Sequence, residues 1–330
     1  MEMNAESLPK TLIQAIRHFS DYENCDRFLV GIRWPSGEVS CPSSGCAKVR
    51  YIQTRRQWEC SENHPKRRFS LKTGTIMEDS PLPLEKWLAA LWLEVNSKNS
   101  VSSYEAHRAL GVTQKSAWFM LHRLRTALRA GSLERIGGNG PIEADETYVG
   151  GLARNMHFSR RGKTIKGTGP AGKTIVMGLL GRHSGKRRSQ FRTEVVKNND
   201  EQTLHAIIHK NVVPGSEVFT DSLASYRGLD PQFLHDFVDH AEKYVDGIVH
   251  TNGMENFWAL FKRCIKGTHI SIDPAHLHRY LDSEGFRFNN RDTNDCGRFN
   301  LAAPGIIGRR LTYKALTGAL EGGTAHARTR

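Results

Sequence analysis

The sequence predicts a multi-domain α/β protein. Three observations lead to this fold class: a cysteine-rich segment near the N-terminus, an all-helical stretch after it, and a C-terminal half in which strand-like and helix-like runs alternate. The chain has 330 residues, whereas single domains usually have about 100 to 200. It is therefore long enough for two or three domains with separate cores.

The chain is strongly basic. Lys and Arg number 47 against 34 Asp and Glu, a net charge of +13. A surplus of this size is expected of a protein whose partner carries phosphates, either a nucleic acid or an acidic membrane surface. The sequence contains no uninterrupted apolar run of about 18 residues, and its start does not have the pattern of a secretory signal. We therefore expect a cytoplasmic protein without a membrane partner.

Residues 36–75 are predicted to form a zinc ribbon, after a helical lead-in over residues 1–35. Four candidate ligands occur as two pairs: Cys41 with Cys46, and Cys60 with His64. Such ligands can close a tetrahedral site for structural Zn²⁺, and a domain with so small a core needs this support. The alternative is a set of buried thiols without a metal, and Cys25 could replace one ligand.

Residues 80–135 are predicted to form a helix-turn-helix region that binds DNA. Its three helices span Leu84–Leu93, Ser102–Leu110 and Thr113–Leu128, and Gly111 marks the sharp turn before the third. The third helix would bury its apolar side and offer four side chains to a DNA groove: Gln114, Lys115, Arg123 and Arg125. Helical hairpins of this kind also occur in proteins that never bind DNA, so both interpretations stay open.

Residues 139–295 alternate between strand and helix patterns, after a glycine-rich boundary near residue 138. The predicted order is three strands, a helix, a short strand and further helices: Ile142–Val149, Thr174–Leu180, Phe191–Val196, Gln202–Asn211, Val218–Thr220 and 252–266. This is the order of a ribonuclease-H-like domain with a mixed sheet and carboxylates at strand ends. Residues 296–330 are assigned to a C-terminal tail.

A long stretch of this region has no acidic residue. Between Glu146 and Glu194 there are 47 residues without a carboxylate, and they include eleven Lys or Arg. Such a stretch favours a surface that follows a DNA backbone. The basic candidates are Arg160, Arg161, Lys163, Lys166, Lys186, Arg187 and Arg188. The alternative is a basic loop with no specific role.

The segment 252–266 is predicted to be a helix with two different faces. Its apolar stripe recurs at helical spacing: Met254, Phe257, Trp258, Phe261 and Ile265. The other face carries Glu255, Ala259, Lys262 and Lys266. An acid followed by lysines could hold a cation and then a phosphate, or it could be an ordinary solvated face.

Three carboxylates are candidates for metal-dependent phosphodiester chemistry. Asp145 ends an apolar strand in IEADETYVGG, Asp221 follows the short strand, and Glu255 lies at the start of the two-faced helix. Two strand aspartates and a helix glutamate can converge on a pair of hard divalent ions such as Mg²⁺ or Mn²⁺. That arrangement stabilises both the entering and the leaving oxygen in phosphodiester cleavage.

Seven motifs give the sequence a resemblance to a known family. They are CPSSGC, FSLKTGTIMEDSPLPLEKW, LGVTQKSAWFMLHRLR, IEADETYVGG, FTDSLASYRGL, HTNGMENFWALFKRCIKGTH and FRFNNR, within residues 28–291. The chain resembles bacterial insertion-sequence DDE transposases, most closely the IS1595 family, which has an N-terminal zinc ribbon and an ISXO2-like catalytic domain. The zinc knuckle departs from the usual four cysteines at His64.

The resemblance implies a magnesium-dependent nuclease that cuts transposon ends and joins the freed 3′ hydroxyl to target DNA. Its catalytic acids correspond to Asp145, Asp221 and Glu255, and its basic residue seven positions later corresponds to Lys262. Residues with supporting roles would be His250, Asn252 and Asn256. The partners would be the inverted repeats and target DNA, with the chain acting as a homo-oligomer. The alternatives are a non-catalytic zinc-containing DNA-binding regulator and a nuclease that hydrolyses without joining.

Overall fold

The computed structural model describes residues 9–129, 135–138, 140–151, 158–159, 162, 172–182, 189–226, 228–229, 231–238 and 249–318. These residues form two compact units, one from the segments up to 129 and from 292 onward, the other from the segment 130–291. No helix among the described residues is long and apolar enough to cross a membrane.

The regular elements are numbered here in chain order. The helices are α1 (Leu12–Phe19), α2 (Tyr22–Arg33), α3 (Leu84–Asn96), α4 (Ser103–Leu110), α5 (Gln114–Leu128), α6 (Glu201–Asn211), α7 (Asn252–Cys264), α8 (Leu277–Asn289), α9 (Asp295–Ala302) and α10 (Tyr313–Thr317). The strands are β1 (Val49–Ile52), β2 (Gln57–Cys60), β3 (Arg68–Phe69), β4 (Ile142–Val149), β5 (Thr174–Gly181), β6 (Gln190–Val196), β7 (Glu217–Asp221) and β8 (Leu234–Val238). A π-helical turn, Ile265–His269, continues α7.

The helical hairpin of the first unit begins and ends where its capping residues predict. Ser102 and Glu105 form a reciprocal capping box at the start of α4. Gly111 ends α4 with φ of 58°, a left-handed conformation that glycine adopts without strain. Thr113 then caps α5 through its side chain. The predicted pair of helices is therefore present within one residue of its expected bounds.

The C-terminal segment of the chain belongs to the core of the first unit. Phe299 in α9 packs its ring against Phe19, Phe28 and Trp92, with centroid separations of 5.6, 5.3 and 5.2 Å. The backbone N–H of Ile76 donates to the Ile306 carbonyl at 2.9 Å. The sequence predicts that residues 296–330 form a C-terminal tail. Those up to 318 instead form helices packed into this core, because Phe299 completes its aromatic cluster.

The second unit is built on a mixed five-stranded sheet with the order β6-β5-β4-β7-β8. β6, β5 and β4 pair antiparallel, and β7 and β8 run parallel to β4. This confirms the predicted ribonuclease-H-like arrangement, in which three meandering strands precede a helix and a parallel strand. β8 is an additional edge strand that the sequence did not predict.

Helices cover both faces of this sheet. On one face α6 packs through Leu204 and Ile208 against Ile142 and Ala144 of β4. On the other face α7 and α8 form a second cluster that includes Met254, Phe257, Trp258 and Phe261. Because side chains alternate along a strand, Glu143 and Asp145 of β4 lie on the α7 face.

Candidate active site

Asp145 and Asp221 lie side by side on neighbouring parallel strands. The register of β4 and β7 pairs Ile142 with Val218 and Glu143 with Phe219. Continued two residues further along each strand, this register places Asp145 opposite Asp221, close enough for the two charges to interact. Asp221 is held in place by the Leu223 backbone N–H, which donates to Oδ1 at 3.1 Å. The structure therefore brings together two of the three predicted catalytic acids.

The Asp145 carboxylate is placed where a negative charge is costly. Burial, followed by the negative charges of Asp221 and Glu146, raises the pKa of Asp145 to about 7. The indole N–H of Trp258 opposes this shift by donating to Oδ2 at 3.0 Å. Uncompensated carboxylates clustered in this way favour the binding of a cation.

Helix α7 docks directly over this carboxylate because the facing strand has a glycine there. Gly178 of β5 pairs with Asp145 across the sheet. A Cβ atom at Gly178 would lie 2.2 Å from the Met254 methyl carbon and 2.7 Å from the Trp258 ring. The glycine thus lets the Trp258 indole lie against the sheet and reach Asp145.

The remaining candidates of this region lie on the exposed side of α7. Met254, Phe257, Trp258 and Phe261 are buried, as the apolar stripe predicts. The exposed positions are Asn252, Glu255, Asn256, Ala259, Lys262 and Lys266. Glu255 lies one helical turn before Trp258, the residue that bonds to Asp145. The helix that carries Glu255 and Lys262 is therefore anchored at Asp145.

Sequence reasoning missed a buried carboxylate two residues before Asp145. Glu143 is 1 % exposed, and its Oε1 accepts from Arg182 Nε at 2.6 Å. Arg182 also donates through Nη2 to Nδ1 of His250 at 2.7 Å. Burial, and then the positive charge of Arg182, lower the pKa of His250. The strand period alone could have placed Glu143 on the face of Asp145, but its partners are distant in sequence.

Glu146 forms a second polar contact near the aspartates. Its Oε2 accepts a hydrogen bond from the Tyr226 hydroxyl at 2.7 Å. Burial raises the pKa of Glu146, and the negative charge of Asp221 adds to this, against the hydrogen bond from Tyr226. A third acidic group therefore lies within electrostatic reach of Asp145 and Asp221.

Three of the four predicted zinc ligands form one group in the first unit, and the fourth, Cys46, lies in a second group that shares Cys60. One ligand atom from each of Cys41, Cys60 and His64 lies within 4.8 Å of the others, and the same holds for Cys46, Cys60 and Glu62. Cys41 Sγ and His64 Nε2 are 3.4 Å apart. Zinc–sulfur and zinc–nitrogen bonds of about 2.3 and 2.05 Å at tetrahedral angles give a separation of about 3.6 Å. The donor set therefore fits zinc.

Cys25, the predicted substitute ligand, has a different environment. It is buried in α2, and its thiol donates to the Phe19 carbonyl at 3.0 Å. Burial, with the nearby charges of Glu85, Asp21 and Asp26, raises the pKa of this thiol to about 12. Among the described residues, Cys25 belongs to neither group of candidate metal ligands, so it is a packing residue of α2.

Two of the four α5 residues expected to face a DNA groove are buried. Arg123 is 4 % exposed and donates to the Glu78 carbonyl, while Arg125 is 2 % exposed and pairs with Glu94 through two hydrogen bonds of 2.9 and 3.3 Å. The expectation of groove contacts is wrong for both residues, because each guanidinium is hydrogen-bonded to another residue inside the first unit.

The other two α5 candidates remain accessible. Gln114 is partly buried and donates to the Ser103 hydroxyl at 2.8 Å. Lys115 is exposed, with its ammonium 4.8 Å from the centre of the Tyr313 ring. The basic candidates of the acid-free stretch, Arg160, Arg161, Lys163, Lys166, Lys186, Arg187 and Arg188, lie outside the described residues.

Arg125→Met should destabilise the first unit strongly. Breaking a buried ion pair leaves Glu94 as an uncompensated charge, which costs about 3 to 5 kcal/mol in the free energy of unfolding. Urea denaturation followed by tryptophan fluorescence measures this change. Arg310→Met is the matched control, since it removes a half-exposed pair with Asp79 worth about 1 kcal/mol or less. Equal losses in the two variants would contradict the structural role of Arg125.

A zinc-ligand cluster in one unit and a ribonuclease-H-like sheet with paired aspartates in the other are the features of a transposase. Comparisons with known proteins agree. A family model described as an ISXO2-like transposase domain matches residues 138–289, and one described as a transposase zinc-ribbon domain matches residues 20–62. The chain belongs to this family of insertion-sequence transposases.

The names of two similar proteins also refer to a transposable element or a transposase. A protein in transposable element ISH50 of Halobacterium salinarum is 28 % identical over 278 residues, which cover 81 % of this chain and 90 % of the relative. A transposase-like protein of Haemophilus influenzae is 36 % identical over 101 residues, which cover 30 % of this chain and 81 % of the relative.

Proposed function

We propose that this protein is a divalent-metal-dependent DNA transposase. It cleaves phosphodiester bonds at the ends of an insertion sequence and transfers the freed 3′ hydroxyl to target DNA. The observation that carries this proposal is the adjacent placement of Asp145, in the middle of β4, and Asp221, at the end of the parallel strand β7, with α7 anchored on Asp145 through Trp258. Family membership supplies the substrate class.

The residues of this site fit a hard divalent ion. Asp145 and Asp221 would hold it together with Glu255, and the raised pKa of Asp145 reflects negative charge that a cation would offset. When bound, Mg²⁺ or Mn²⁺ supplies Lewis-acid stabilisation of the phosphate and of the entering and leaving oxygens.

The exposed face of α7 would then bind the substrate backbone. Lys262 follows Glu255 by two helical turns on this face, so its ammonium can bind a DNA phosphate next to the carboxylates. Asn252 precedes Glu255 by one helical turn and Asn256 directly follows it, and both exposed amides can donate hydrogen bonds to the same backbone. Lys115 and Gln114 of α5, with the basic residues of the acid-free stretch, would add contacts elsewhere along the DNA.

A cleavage and joining assay tests this proposal. The full-length protein should nick duplexes that carry the inverted repeats flanking its reading frame when Mg²⁺ or Mn²⁺ is present, and it should join those ends to a plasmid target. Binding without any cleavage would contradict the catalytic proposal and favour a DNA-binding regulator. Cleavage without joining would indicate a hydrolytic nuclease.

We further propose that the working form is a homo-oligomer bound to DNA in the bacterial cytoplasm. Joining two ends to one target requires two sets of end contacts and two cleavage events. Footprinting of both ends in one complex, with its mass measured by light scattering, tests this. A complex with one chain and two ends would contradict it.

A further inference from the structure

A network of three side chains links β4 and β5 to the start of α7. Glu143 Oε1 accepts from Arg182 Nε at 2.6 Å, and Glu143 Oε2 accepts from the Met254 backbone N–H at 2.8 Å. Arg182 Nη2 donates to His250 Nδ1 at 2.7 Å and to the His250 carbonyl at 2.6 Å. We call Glu143, Arg182 and His250 the clamp.

Glu143 of strand β4 caps the N-terminus of helix α7. Within the described part of the chain, the Thr251 side chain at the N-cap position does not cap the helix. The third residue of the helix, Met254, instead donates its backbone N–H to Glu143, where a negative charge also stabilises the helix dipole. Gly253 allows this approach, because a Cβ atom there would lie 2.9 Å from Glu143 Oε2.

The clamp and Trp258 hold α7 against β4 at two points with matching spacing. Glu143 and Asp145 are two residues apart on the strand, or about 6.6 Å. Their partners Met254 and Trp258 are four residues apart on the helix, or about 6 Å. The helix therefore runs alongside the strand, and Glu255 lies between the two anchored residues.

The clamp also determines which nitrogen of His250 carries a proton. An arginine guanidinium has only donors, so His250 Nδ1 at 2.7 Å from Arg182 Nη2 must accept. The neutral ring then carries its proton on Nε2. His250 can thus offer a hydrogen bond to a phosphate oxygen from a fixed ring position, and it cannot act as a base through Nδ1.

We propose that Glu143 and Arg182 are positioning residues, which hold α7 so that Glu255 meets Asp145 and Asp221 and hold His250 as an Nε2–H donor. This inference rests on the proposed function, because its main test measures DNA cleavage. Partners that orient the residues around a metal site typically change activity by about 10- to 100-fold when mutated. Such residues should leave the binding of DNA ends unchanged.

The variants Glu143→Gln and Arg182→Met test the clamp in the full-length protein. Glu143→Gln keeps an acceptor for Met254 but removes the charge that holds Arg182. Glu194→Gln is the matched control, because Glu194 of β6 lies in the same sheet, is partly buried and also forms an ion pair, with Lys210 of α6. Single-turnover cleavage should fall about 10- to 100-fold in both clamp variants, with dissociation constants for DNA ends within about twofold. The control should cleave as the wild type does.

A spectroscopic readout separates positioning from folding. In ¹⁵N-histidine spectra of the wild type, His250 should show an unprotonated Nδ1 and a protonated Nε2, and in Arg182→Met the two signals should move towards each other. The His250→Gln spectrum identifies these signals. A protonated Nδ1 in the wild type, or clamp variants that cleave like the control, would overturn the proposal. So would losses of DNA binding and thermal stability in proportion to cleavage, which indicate a structural role alone.

Failure of the clamp can be told apart from failure of the proposed function. If the wild type cleaves no DNA with either metal ion, the proposed function fails. The wild-type His250 spectrum still decides whether Arg182 holds the ring in this tautomer. If the wild type cleaves and Glu143→Gln cleaves equally well, only the clamp fails.

Discussion

Asp145→Asn should strongly reduce DNA cleavage while leaving DNA binding intact. An amide cannot provide the anionic oxygen that a hard divalent ion requires beside Asp221. We expect the cleavage rate to fall by about 10²- to 10³-fold, the range seen when one electrostatic stabiliser of a transition state is removed. The Trp258 indole can still donate to the amide oxygen, so α7 should stay docked.

The measurement is single-turnover cleavage of end duplexes, with gel-shift titration for binding. Asp236→Asn is a suitable control, because Asp236 is an exposed aspartate on the neighbouring parallel strand β8. Cleavage by Asp145→Asn within tenfold of the wild type would exclude Asp145 from the metal site. A loss of DNA binding equal to the loss of cleavage would argue that the residue serves binding.

Zinc removal should unfold the ribbon of the first unit. Structural zinc sites supply roughly 10 kcal/mol or more of apparent binding free energy at neutral pH. A three-stranded sheet whose last strand has two residues has little core to replace it. After chelation, residues 41–64 should become sensitive to protease, and the five-stranded sheet of the second unit should keep its circular dichroism.

Single substitutions identify the ligands. His64→Ala should weaken zinc binding more than Glu62→Ala, since His64 lies 3.4 Å from Cys41 Sγ. Cys60→Ser should abolish binding, because Cys60 belongs to both groups of candidate ligands. Cys296→Ser, outside those groups, should retain one zinc per chain by native mass spectrometry. Native protein without zinc would contradict the site.

Local patterns predicted the elements that carry a strong apolar signal. β4 was predicted with its observed bounds, because Ile142 to Val149 is a β-type run bounded by glycines and Pro141. Four of the five residues in the predicted apolar stripe, Met254, Phe257, Trp258 and Phe261, are buried, whereas Ile265 is partly buried in the π-helical turn after α7. β8 was missed since its sequence, LHDFV, places polar residues in an exposed edge strand and gives no clear alternation.

Features that depend on distant partners could not be predicted. A helical wheel assigns Arg125 to a polar face, and only the fold shows that Glu94 lies next to it inside the unit. Glu143 looks like one more strand residue until Arg182 and Met254, 39 and 111 residues away, bond to it. The approach of Asp145 to Asp221 was inferred from the order of elements, and the register of β4 and β7 supplies the geometry.

The return of α9 to the N-terminal segments has a consequence for biosynthesis. As the nascent chain leaves the ribosome, Phe19, Phe28 and Trp92 emerge long before Phe299, the ring that covers them. The aromatic surface therefore stays open until Phe299 has been translated, more than 200 residues after Trp92. A product cut short before Phe299 by a frameshift or an early stop codon would keep this surface open, making it a ready target for chaperones and proteolysis.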